Sequence, residues 1–346
     1  MDAIDWSLAQ RVGELVAGTP PYGGVFADSI QPLAEDFAER VSAYSGLELP
    51  TELPNLETVD RPRWIAANLM SMRPLLEPMA QRMDRGLGPL SSAMSAASGF
   101  LLGVQVGAIA GMLSQRVLGQ YDLSLLDPSV SPRLLLVAPN LAQAAGNLRV
   151  DREQLVSWVT IHEITHAVQF AGAPWLREHL GGMLSQLIDS LEVSMSSTDL
   201  LKTFRSRDLR GLAERVRRGE LLRVSLGEER WVLLERMQAT MSLIEGHAEH
   251  VMDAVGAGVL PSLGELRAAM NRRRTERGLP WRVLERLLGL ELKMRQYELG
   301  RRFCDAVVQA GGESGPALLA RAWRAPADLP STAELEDPAL WLARVA

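Results

Sequence analysis

Thirty consecutive residues, Gly86 to Gln115, carry no formal charge. A helix over Ala96 to Ser114 is long enough to cross a bilayer, so a chain that contains it must either bury it or place it in lipid. Glycine recurs at every fourth position, as Gly99, Gly103, Gly107 and Gly111. On a helix these positions form one slowly drifting groove into which a partner backbone can press. Gln105 lies in mid-segment, and neither flank has an aromatic belt or a cluster of basic residues. Such flanks mark spanning helices. The expected structure is therefore a central helix buried on all sides of a large helical domain, and no membrane association is expected.

The rest of the composition agrees with a folded, helix-rich chain. Its 346 residues are 47% hydrophobic and 23% charged, which is enough for a sizeable core and excludes bulk disorder. Leu and Ala are abundant and aromatics make up only 5%, which favours helix. Lys and Arg number 36 against 42 Asp and Glu, a net charge of -6, which argues against a duplex nucleic-acid partner. The single cysteine, Cys304, excludes an intrachain disulfide and an all-cysteine metal site, and its apolar surroundings predict a buried small hydrophobe. The opening Met1-Asp2-Ala3-Ile4-Asp5 lacks the basic and apolar regions of a secretory signal, so a cytoplasmic location is expected.

Prolines punctuate the chain. Pro50, Pro54 and Pro62 mark an extended connector, and Pro128 and Pro132 a second break. The run Leu134-Leu135-Leu136-Val137 is short, apolar and bounded by prolines, and is the best strand candidate. Nearly everything after Pro139 reads as helix. The fold expected is mainly α, with at most a small β-sheet near Leu134 to Val137. We read 1–346 as one domain with an N-terminal helical part over 1–130, a core over 131–260 and a C-terminal helical part over 261–346.

The segment with chemistry in it runs from Asp151 to Gly172. Asp151 can cap a helix, with Gln154 completing a capping-box-like pair, and Gly172 and Pro174 stop it. Inside lies His162-Glu163-Ile164-Thr165-His166, an H-E-x-x-H sequence. Residues four apart on a helix share a face, so both imidazoles can address one ion. Glu163 is turned aside from that ion, where it can take a proton from water as the water attacks a carbonyl. The metzincin continuation H-x-x-G-x-x-H is absent, because Gln169 and Gly172 occupy its positions. A third ligand must come from elsewhere.

The remaining histidines are His179, His247 and His250. The last two fall in Ser242-Leu243-Ile244-Glu245-Gly246-His247-Ala248-Glu249-His250, within a long helical pattern. Glu245 and Glu249 are one turn apart, on a face with small neighbours, and Gly246 points to close packing. This face suits a helix that lies against the one bearing His162 and His166. Glu245 would then ligate the metal and Glu249 would accept a ring N–H from a ligating histidine. His247 lies about 200° and His250 about 140° around the helix from Glu245. The face argument favours Glu245, with His247 and His250 remaining as rivals. A solvated acidic face would look similar.

H-E-x-x-H followed far downstream by E-x-x-A-(D/E) resembles the glutamate-zincin metallopeptidases, and Glu245-Gly246-His247-Ala248-Glu249 fits with Glu in place of the commoner Asp. More closely, the chain resembles a zincin-like family whose members carry hydrolase or zinc-dependent metalloprotease labels, some associated with deazaflavin coenzyme biosynthesis. The matching stretches are Val59-Asp60-Arg61-Pro62-Arg63-Trp64, Trp158 to Phe170, Pro174-Trp175-Leu176-Arg177, Glu245 to Asp253, and Gln296-Tyr297. The resemblance implies a zincin core and a Zn²⁺ site, with His162, His166 and Glu245 as ligands and Glu249 beside them, but little about substrate; a peptide or small amide substrate is expected from the chemistry of the motif.

Tyr297 and His179 are candidates to donate to a developing oxyanion, by residue type alone. The basic run Asn271 to Arg277 reads as a solvated helix end. The residues between the two ligand segments, including Ser194 to Thr198, are expected to cover one side of the cleft as a lid. No phosphate-cradling G-x-x-x-x-G-K loop and no G-x-S-x-G elbow occurs. The alternative to a hydrolase is a non-catalytic helical protein with a structural metal or a partner-binding scaffold.

Overall fold

The computed structural model describes residues 2–18, 20, 27–85, 91–127, 129–193, 228–275 and 290–345. The fold is mainly α with one small sheet. Helices α1 (Trp6–Ala17) and α2 (Ala27–Ser45) lead into strand β1 (Asn55–Val59), α3 (Arg61–Arg85) and α4 (Ser91–Ser114). Strands β2 (Gly119–Asp122) and β3 (Arg133–Val137) follow, then α5 (Ala138–Leu148), α6 (Arg152–Gly172) and α7 (Trp175–Val193). The later helices are α8 (Glu228–Val259), α9 (Leu263–Thr275), α10 (Leu290–Gly311) and three short ones, α11 (Gly315–Leu319), α12 (Thr332–Glu336) and α13 (Pro338–Val345).

The chain divides into two compact units, Met1–Gly172 with Ala248–Glu291, and Ala173–His247 with Leu292–Ala346. Helix α8 is continuous and belongs to the second up to His247 and to the first from Ala248.

In the first unit the strand order is β1-β3-β2. β1 pairs in parallel with β3, from Asn55 opposite Arg133 to Val59 opposite Val137. β2 pairs antiparallel with β3, with Gly119 opposite Leu136 and Asp122 opposite Arg133. The predicted strand at Leu134–Val137 is thus the central one. Leu134, Leu135, Leu136 and Val137 are all fully buried, which explains an apolar run without alternation.

The core of this unit joins α1, α3, α4 and the sheet through Ala9, Trp64, Ile65, Leu69, Ala110, Leu135 and Val137. Asp5 starts α1 by accepting the Leu8 N–H at 2.8 Å. Glu77 of α3 then anchors the residues before α1, accepting from the Ala3 N–H and, at 2.9 Å, from the Trp6 indole. Burial pushes the Glu77 carboxyl up, but these bonds and that of Gln81 outweigh burial and hold it below its ordinary value.

The glycine groove of α4 receives a backbone from the same chain. A Cβ at Gly99 would stand 2.7 Å from the Ala3 carbonyl oxygen, and one at Gly103 2.7 Å from that of Asp5. At Gly107 and Gly111 the oxygens of Ala9 and Gly13 would be closer still. The expectation of burial on all sides is corrected, because α1 fills only this groove. Of the window Ala97–Ser114, 33% is buried, while Phe100 and Leu101 remain 57% and 55% exposed. α4 is the one helix among the described residues that is long and apolar enough to span a membrane by length and composition.

Gly107→Val should therefore push α1 away from α4. Overpacking of this kind costs about 1–3 kcal/mol or more, read as a lower melting temperature. Gly146 lies in α5 with open space around it, so Gly146→Ala should stabilise by up to ~1 kcal/mol in the same assay.

Candidate metal centre

Asp151 begins α6. Its carboxylate accepts the Gln154 N–H at 2.8 Å, and its carbonyl accepts from Leu155. Only half of the expected capping box forms. The Gln154 side chain accepts instead from the Ser262 N–H at 2.8 Å, tying the start of α6 to the start of α9. The body of α6 is buried almost all round. Its buried threonines are satisfied locally, Thr160 donating to Val156 and Thr165 to Ile161, each at 2.8 Å. At its end, Gly172 presses against Leu47, with no room for a side chain.

His162 and His166 share one face of α6, as the spacing requires. Their Nε2 atoms are 3.2 Å apart and their rings nearly perpendicular. Two nitrogens on one tetrahedral zinc at 2.0–2.1 Å would be separated by about 3.3 Å. Gln169 sets the His166 ring. Its Oε1 lies 2.9 Å from Nδ1, which places the ring proton on Nδ1 and leaves the Nε2 lone pair facing His162. Gln169 is fully buried. It entered the sequence reading only as the residue that excludes a metzincin, and nothing local in the sequence shows that it supports a histidine.

Glu163 points elsewhere, as expected. Its Oε2 accepts the backbone N–H of Tyr121 on β2 at 2.7 Å, and the residue is buried. Its other oxygen lies over Gly119, where an added Cβ would come within 2.8 Å of Oε1. β2 thus fixes the carboxylate, through a strand too short and polar to stand out in the sequence.

Glu245 lies on α8. One ligand atom from each of His162, His166 and Glu245 falls within 4.8 Å of the other two. Two imidazoles and a carboxylate form a donor set suited to zinc. Gly246 packs on the backbone of Gly300 and Arg301 in α10, the close approach its residue type predicted.

The rival histidines are engaged elsewhere. The fully buried His247 meets the Trp323 ring edge-on, with centroids 4.9 Å apart. His250 Nε2 is 2.8 Å from the Tyr44 hydroxyl. Glu249 is buried one turn beyond Glu245. His179 lies on α7 against Trp175 and is not part of the ligand cluster. Burial first, then the nearby Arg236 charge, lowers its pKa from the usual histidine value, so it is neutral near pH 7. The Tyr297 side chain, and the part of the expected lid over 194–227, lie outside the described residues. Of the basic run, Arg273 does not behave as a solvated end, since it donates to the Arg116 carbonyl at 2.9 Å. Cys304 is buried as expected, and burial pushes its thiol pKa well up.

Removing the ring support should weaken metal binding without removing a ligand. Gln169→Leu is expected to lower zinc affinity about 10–100-fold, the usual effect of losing an outer partner. Competition with a chelating dye would measure it.

The molecule is a helical protein with an H-E-x-x-H helix beside a small sheet and a downstream glutamate among the possible ligands. The sequence matches the zincin-like metallopeptidase family over residues 4–342. The chain belongs to this family. A solved structure, that of a provisionally assigned hydrolase with a novel fold from Chloroflexus aurantiacus, is 31% identical. It superposes with a TM-score of 0.71 over 99% of this chain and 98% of that one. No curated protein matches the sequence.

Proposed function

We propose that the protein is a zinc-dependent hydrolase of amide bonds, with His162, His166 and Glu245 holding the ion and Glu163 as general base. The observation that carries this reading is the division of labour along α6. Two imidazole nitrogens converge, while the carboxylate between them in sequence is held apart by Tyr121. A bound zinc supplies Lewis acidity, which acidifies water and polarises a carbonyl oxygen.

The chain's own groups do the rest. Glu163 takes the proton of the attacking water and passes it to the leaving nitrogen. The Tyr121 N–H orients its carboxylate. Gln169 keeps the His166 proton away from the ligand side, and Glu249, one turn beyond Glu245, would serve a ligating ring similarly. β2 is an edge strand among the described residues. Extended peptides add to such edges through main-chain hydrogen bonds, which favours a peptide over a compact amide.

A structural metal would use the same three ligands but would have no use for Glu163. The test is zinc content by mass spectrometry together with cleavage of a quenched fluorescent peptide mixture. The expected result is one zinc per chain and cleavage that a chelator abolishes and zinc restores. Full zinc occupancy without cleavage of any amide would favour the structural reading.

A further inference from the structure

From Trp158 to Gln169 every residue of α6 is buried except His162. The next residue along the helix that is not buried is Phe170. His162, His166 and Phe170 stand four residues apart, so they form one row on a single face. Among the described residues, this row is the line along which the middle of α6 opens outward. Phe170 follows His166 by one turn, about 6 Å along the axis.

Strand β2 brings a second ring to the same end of the row. Alternate side chains of a strand share a face, so Gly119 and Tyr121 point the same way. A Cβ at Gly119 would strike Val159 and Glu163, so that face is turned to α6. The Tyr121 ring meets Phe170 there, with centroids 5.7 Å apart and planes tilted by 35°. Both residues are only half-buried. The backbone N–H of the same Tyr121 holds the Glu163 carboxylate at 2.7 Å. One residue of β2 therefore carries both the donor that orients the proposed base and half of an aromatic wall beside it.

We propose that Tyr121 and Phe170 form the subsite for the substrate side chain next to the bond that is cut, and that this side chain is large and apolar. The inference rests on the reading of the centre as a peptide hydrolase and names the class of peptide it takes. Two half-buried rings offer a broad apolar surface of fixed shape. A Phe or Leu side chain laid against them removes apolar area of both partners from water. Alanine covers little of the rings. A carboxylate there gives up hydration without gaining an ion pair from either ring.

The test uses the zinc-loaded full chain and quenched fluorescent peptides that differ only at the two positions flanking the cut, as Phe, Leu, Ala, Asp or Lys. At one of those positions kcat/KM for Phe or Leu is expected to exceed that for Ala, Asp and Lys roughly tenfold or more. Phe170→Ala should reduce the ratio of the Phe peptide to the Ala peptide about fivefold or more, with zinc content unchanged. A merely structural role for the ring would lower both rates alike and leave their ratio where it was. Zinc-dependent cleavage with no preference at either position, or with a preference for Asp or Lys, overturns this inference and leaves the hydrolase reading standing. An unchanged ratio in Phe170→Ala does the same. No cleavage of any peptide removes both together. If Phe170→Ala does not fold, the wild-type ratios decide the matter.

Discussion

Glu163→Gln is expected to lower kcat/KM for peptide cleavage by ~10²–10⁴-fold, the usual contribution of a positioned base. That corresponds to about 3–5.5 kcal/mol of transition-state stabilisation. The glutamine oxygen can still accept the Tyr121 N–H, so the side chain keeps its place against β2 while losing its basicity. Zinc content should be unchanged, because Glu163 is turned from the paired imidazoles. Peptide cleavage by this variant at more than half the wild-type rate would remove Glu163 from the mechanism. Loss of zinc along with activity would make it a ligand instead.

Glu245→Ala should cost the protein its metal and with it all hydrolysis. His247→Phe should keep the metal and lower stability, since the buried ring it replaces packs on Trp323. Metal content and melting temperature, measured together on the two variants, distinguish these outcomes. If His247→Phe loses zinc while Glu245→Ala retains it, the third ligand has been misassigned.

The parts of the centre that could be read from sequence are those set by local geometry. His162 and His166 meet because they are four residues apart on a helix, and Asp151 caps that helix through a neighbour three residues on. Glu245 could be ranked above His247 and His250 by its angle, but what occupies those histidines could not be read. His250 meets Tyr44 from 206 positions away, and Trp323 lies well downstream of His247. Gln154 was paired with the wrong partner for the same reason, since Ser262 is 108 residues distant.

The sheet was legible only at its centre. Leu134 to Val137 is apolar because both faces are covered. β1 reads Asn-Leu-Glu-Thr-Val and β2 Gly-Gln-Tyr-Asp, with too few apolar residues to declare a strand. Their pairing with β3 is a long-range event that leaves no local pattern. Yet β2 supplies the N–H that orients Glu163, so an unremarkable tetrapeptide holds the proposed general base. On α4 the groove was visible in the glycine spacing. How much of the opposite side would remain bare was not, because that depends on how many neighbours the rest of the chain can provide.

The contact between α1 and α4 also governs how the polypeptide must be handled as it is made. Until the first helix docks, the uncharged rod offers naked main chain along one side and bulky apolar groups along the other. A truncation that removes the opening eighteen residues would leave that rod permanently without its native mate. Such a shortened polypeptide would leave open the groove at Gly99, Gly103, Gly107 and Gly111 that the first helix and the residues before it fill in the intact chain.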